Sequence, residues 1–108
     1  MDAGFIIEGM ALSEKQLKFL RGKAHPLKPI IMIGKTGLSA SVTAETERAL
    51  HDHELIKVRV RTADRETRDA LLGELIQQTN SELVTRIGHV AVLYRAHPKL
   101  PRLVIPGT

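Results

Sequence analysis

Two short clusters in this sequence carry side chains of types that could do chemistry. The first is Gly34-Lys35-Thr36-Gly37. Two glycines flanking two residues let a backbone come close to a phosphate, and loop N–H groups followed by a helix N-terminus attract an anion. Lys35 adds a mobile positive charge. The same spacing also suits a tight strand-to-helix turn whose glycines only supply unusual dihedrals, and the loop alone does not separate the two readings. Gly34-Lys35-Thr36 imitates the end of a Walker A loop, but the first glycine of that motif would fall on Pro29. The loop itself would have to be the apolar run Ile30 to Ile33, so a P-loop nucleotidase does not fit. The second cluster is His51-Asp52-His53-Glu54. Successive helical residues turn by about 100°, so His51 and His53 point to nearly opposite sides of a helix and cannot share an ion. Cationic side chains at a helix C-terminus complement its dipole, which is the preferred reading of these histidines. A metal-dependent phosphoesterase using His51, His53 and Glu54 is kept as an alternative. No catalytic residue, metal or cofactor is assigned.

The charge distribution points to a polyanion. The 108 residues hold 16 Lys and Arg against 12 Asp and Glu, a net charge of +4 at pH 7. Lys15, Lys18, Arg21, Lys23, Lys28 and Lys35 follow one another with no acid among them. After Glu82 the charges are again only basic, at Arg86, Arg95, Lys99 and Arg102, whereas the middle mixes both signs. A solvated surface intersperses its charges, so this segregation favours nucleic acid as partner, with an acidic protein as the alternative. Lys15, Lys18 and Arg21, three residues apart, can share a helix face. His25, beside Pro26, serves equally as a turn residue or as an RNA contact. Phe5, Phe19 and Tyr94 are the whole aromatic complement, too few for a stacking platform. Recognition of RNA backbone and shape is expected instead.

The chain contains no cysteine, hence no disulfide framework or thiolate zinc site, which is compatible with a reducing cytoplasm. Its longest apolar runs, Pro29 to Ile33 and Val90 to Tyr94, are far shorter than the ~20 residues of a membrane-spanning helix. Met1 to Gly9 lacks the basic flank of a secretory signal and is read as an extension, native or added. A cytoplasmic monomer without a small-molecule substrate is expected.

These residues must be positioned by a single domain. Ser13 and Gln16 have capping-box spacing for a helix from about Glu14 to Ala24, ended by His25-Pro26. Pro29 to Ile33 reads as a buried strand whose continuous apolarity implies cover on both faces. Ser39 caps a helix running to about His53. Leu55 to Arg61 alternates, with Ile56, Val58 and Val60 on one face and the cationic ladder Lys57, Arg59 and Arg61 on the other. Thr62 or Asp64 caps a third helix, Arg65 to about Thr79. Leu83 to Ile87 and Val90 to Arg95, joined by Gly88-His89, form an antiparallel hairpin. The tail from Ala96 is extended, and Leu103 to Ile105 suits a short edge strand. The expected fold is a single two-layer α/β domain, α-β-α-β-α-β-β, with a mixed four-stranded sheet. Residues 1–9 form an extension, 10–97 the domain and 98–108 a proline-rich tail. Two crossovers stepping the same way put both of their helices on one face, leaving the other for the first helix or a partner.

Five segments together resemble the YhbY family, stand-alone bacterial members of the CRM (chloroplast RNA splicing and ribosome maturation) domain. They are Leu12 to Gln16, Ala24 to Pro29, Ile33 to Leu38, His53 to Val58 and Val92 to Arg95. The resemblance covers roughly Met10 to Arg95. It implies a fold similar to the C-terminal half of bacterial translation initiation factor three, binding of structured RNA, and association with precursors of the large ribosomal subunit. It also implies that the family's Gly-x-x-Gly loop, compared with that of KH domains, maps to Gly34, Lys35, Thr36 and Gly37. With Lys15, Lys18, Arg21, His25, Lys28, Lys57, Arg59 and Arg61 these are the expected RNA contacts.

Overall fold

Each helix starts from a local signal. The Ser13 hydroxyl accepts the Gln16 amide at 3.1 Å, and the Gln16 side-chain oxygen accepts the Ser13 amide at 2.8 Å. This capping box opens α1 (Glu14–Ala24). Ser39 accepts the Val42 amide at the start of α2 (Ala40–His53). Asp64, one of the two caps the sequence allows, accepts the Thr67 amide at 2.9 Å and opens α3 (Arg65–Thr79). The strands are β1 (Pro29–Ile33), β2 (Leu55–Val60), β3 (Glu82–Ile87) and β4 (Val90–Tyr94). The computed structural model describes residues 12–62 and 64–106, so the extension from Met1 to Gly9 lies outside the described residues.

The element order is α-β-α-β-α-β-β, and the strands form one mixed sheet in the order β1-β2-β4-β3. β1 pairs parallel to β2, and β4 runs antiparallel to both of its neighbours. The two crossovers step the same way, which places α2 and α3 on one face. There Ile31, Ile33, Ile56, Val58, Leu50 and Leu75 form the larger core. On the opposite face α1 buries Leu20 and Ala24 against Leu55, Val84, Val92 and Tyr94. Eleven helical residues reach only about 16 Å. α1 therefore covers the half of this face where β2 begins and β4 ends, and leaves the other half open.

Two expectations are corrected here. Pro29 to Ile33 does not have cover on both faces: β1 is an edge strand, with Ile30 53% and Met32 49% exposed. Its apolar run reflects a core face plus an open face that α1 is too short to reach. Leu103 to Ile105 adds no edge strand. The Leu103 amide that a ladder would use is given instead to a carboxylate oxygen of Glu54 at 3.0 Å.

Glu54 is the hub of that tail. It ends α2 in a left-handed conformation, φ 65°, and is fully buried. Its carboxylate accepts the amides of His97 at 2.7 Å and Arg102 at 2.8 Å as well as that of Leu103. Burial alone would raise its pKa, but the three amide donors and the Arg102 charge outweigh this and hold it below the ordinary value of 4.5. Leu103 and Ile105 then pack against the α1 core.

Candidate nucleic-acid interface

Gly34 to Gly37 forms the turn leaving β1, closed by the Gly37 amide donating to the Gly34 carbonyl at 3.0 Å. Gly37 has φ +82°, a conformation that costs L side chains energy. Gly34 differs: it has no positive φ, and a Cβ built on it meets nothing within 4 Å. The turn therefore explains one glycine and not the other. Lys35 and Thr36 at its tip are exposed. Ser39, capping α2, follows directly, and the first turn of α2 holds no acidic residue.

The ladder on β2 lies on the face shared with α1, as the alternation predicts. Ile56, Val58 and Val60 are buried, while Arg59 and Arg61 are exposed and Lys57 is half-buried. Pairing carries the ladder to the loop: the Arg61 amide donates to the Ile33 carbonyl at 2.8 Å, one residue before Gly34. The Arg61 guanidinium also lies 3.7 Å from the Met32 sulfur. At the other end of the ladder the Lys57 ammonium donates to the His25 carbonyl at 3.4 Å. That carbonyl ends α1, where a positive charge offsets the helix dipole. Between these ends a hollow of about 340 Å³ is bounded by Pro29, Lys57, Arg59, Thr85, Ile87 and Val90. Lys28 and Lys57 share a second groove, described below.

The remaining expected contacts fall into two groups. His25 caps α1, its amide donating to the Arg21 and Gly22 carbonyls, and its side chain is exposed. Lys15, Lys18 and Arg21 are exposed on α1. Because Leu20 and Ala24 face the sheet, the helical turn directs Lys15 and Lys18 away from it. These two are not brought to the loop.

The basic C-terminal stretch is mostly consumed inside the molecule. Arg86 pairs with Asp69 at 3.1 Å and donates to the Gly88 carbonyl at 3.0 Å. Arg95 bridges Glu47 at 2.8 Å and the Thr79 carbonyl at 2.7 Å, tying the end of α3 to α2. Arg102 donates to the Asp52 carbonyl. Three of the four cations that made this stretch look like a polyanion surface are thus engaged with the protein itself.

The histidine cluster does not assemble as a phosphoesterase site would need. His51 faces the ring of His97 at 4.6 Å and lies 3.5 Å from Asp52, while both carboxylate oxygens of Glu54 are occupied by backbone amides. Among the described residues no three His, Cys, Asp or Glu side chains are placed to hold a metal ion, and no helix is long and apolar enough to cross a membrane.

Residues that the charge pattern missed are the apolar neighbours of the ladder: Met32 on β1, and Ile87, 75% exposed, on β3. No signal in the sequence marks them, because an apolar strand face reads the same whether a helix or water covers it.

Comparison with known proteins gives a consistent result. The CRS1/YhbY (CRM) domain family matches residues 12–95. A Haemophilus influenzae protein named "RNA-binding protein" is 48% identical over 95 residues, 84% of this chain and 96% of that protein. A Pseudomonas aeruginosa protein named "Probable RNA-binding protein PA4753" is 49% identical over 90 residues, covering 83% of this chain and 86% of its own. The solution structure of the hypothetical protein SAV1595 from Staphylococcus aureus superposes with a TM-score of 0.76 at 34% identity, over 89% of this chain and all of that one.

Proposed function

The chain belongs to the CRS1/YhbY (CRM) domain family, and on that premise we propose that it is an RNA-binding protein that grips structured ribosomal RNA. The contact is the Gly34-Lys35-Thr36-Gly37 loop with the basic track behind it, and the role is assistance in assembly of the large ribosomal subunit. The names of the two relatives above support RNA as the ligand. The observation that carries the loop assignment is Gly34: neither its φ nor its packing requires glycine. Close approach of a phosphate supplies a reason for the missing side chain. Continuity supports the track, because Arg61 is hydrogen-bonded to the strand end from which the loop springs.

Affinity drawn from phosphates falls steeply with salt. About five phosphate contacts give a log-log slope near −3.5 to −4.5. The test is binding to large-subunit ribosomal RNA across a salt series, for the wild type and a Lys28→Ala, Lys35→Ala double variant. Weaker binding with a shallower slope is expected. Unchanged binding would move the contact away from the loop, and no binding by the wild type would leave an acidic protein as the partner.

A further inference from the structure

Beside the ladder, and sharing its Lys57, lies a groove that the Gly34 to Gly37 loop does not border. It has a volume of about 340 Å³ and runs between the end of α1, the Leu27-Lys28 connection and the starts of β1 and β2. Leu27, Ile30 and Leu55 contribute its apolar lining, and Leu103 of the tail closes one side. Lys23, Lys28 and Lys57 stand around it, with no carboxylate among the lining residues. Leu27 and Ile30 remain 38% and 53% exposed. His53, the end residue of α2, also borders the groove with an exposed side chain.

An apolar hollow ringed by ammonium groups suits a ligand that is flat and weakly polar in the middle and anionic at its edges. The volume is at the small end of the ~300–1,000 Å³ range of ligand pockets, the scale of one nucleotide. An amphipathic helix would need a longer trough, with several anchor sites in a row. We infer that this groove receives the base of a single unpaired nucleotide of the bound RNA, its flanking phosphates held by Lys23, Lys28 and Lys57. The inference rests on the RNA-binding reading above and specifies the RNA: a helix interrupted by a bulged or extruded nucleotide, in place of an unbroken duplex. Aliphatic side chains and the His53 ring take the part that aromatic residues play in other RNA-binding domains, which accords with the scarcity of aromatics in this chain.

The test compares two RNA hairpins of equal phosphate number, one fully paired and one with a single bulged 2-aminopurine. The full chain should bind the bulged hairpin about tenfold tighter, the scale of one buried base. The fluorescence of the 2-aminopurine should change on binding and become protected from acrylamide. Ile30→Gln with Leu27→Asn removes apolar lining without altering charge. This variant should lose the preference and the protection while still binding the paired hairpin as the wild type does. Equal affinity of the wild type for both hairpins, or a probe that stays open to acrylamide, overturns the groove assignment while the RNA-binding reading stands. Binding of neither hairpin overturns both. The fluorescence of the wild-type complex decides the matter even where the double variant fails to fold.

Discussion

The two glycines of the loop are chemically identical and structurally unequal. Gly37 sits at φ +82°, and a Cβ there would lie 3.5 Å from Leu71 Cδ2, an ordinary contact. Gly37→Ala should therefore lower stability by about 1–2 kcal/mol through backbone strain alone. Gly34→Ala has no strain or clash to meet and should leave the unfolding free energy from urea titration within about 0.5 kcal/mol of the wild type. If phosphate approaches Gly34, that silent substitution weakens RNA binding. A Gly34→Ala protein that binds RNA normally would leave the loop as a turn and nothing more. No sequence pattern separates these glycines, because the difference lies in the dihedral each adopts.

Among elements, β2 was the most legible. Period-two alternation from Leu55 onward placed Ile56, Val58 and Val60 inward and the ladder outward, and burial of one face fixes that register. Arg59→Ala should reduce the magnitude of the salt slope for RNA by about 0.7–0.9, one phosphate's worth, without changing the unfolding midpoint. An unaltered slope would remove Arg59 from the interface. The cover over β1 was illegible, since a continuous apolar run looks the same whether the second face meets a helix or water. The answer depends on the length and position of α1, which lies elsewhere in the chain. The C-terminal arginines misled for a related reason. Arg95 meets the Glu47 carboxylate and Arg102 the Asp52 backbone carbonyl across 48 and 50 residues, separations at which charge counting along the sequence carries no information on partners. The capping signals at Ser13 and Ser39, by contrast, act within three residues and were readable directly, whereas for α3 the sequence left Thr62 or Asp64 and the structure selects Asp64.

At the scale of the whole molecule, the tail and the domain are joined through one buried carboxylate. Truncation after Ala96 removes all three amide donors to Glu54 along with the packing of Leu103 and Ile105. Losing these charge-assisted hydrogen bonds, while water reaches the uncovered carboxylate in their place, should cost about 1.5–3 kcal/mol. The truncation should cost less in the Glu54→Gln background, and urea unfolding of the four proteins measures that coupling. Equal costs in both backgrounds would dissociate the tail from Glu54. A carboxyl whose folded pKa is depressed contributes stability that is present above its unfolded value and lost as pH falls through the folded one. The advantage of the full chain over the truncated one should therefore shrink as pH drops below 4.5. The same arrangement imposes an order on synthesis. When residue 96 has been added, every helix and strand of the described chain already exists, yet Glu54 has none of the three amides that accept its charge into the interior. Every helix and strand therefore precedes the tail in the chain, and the carboxylate is satisfied only when residues 97–103 follow.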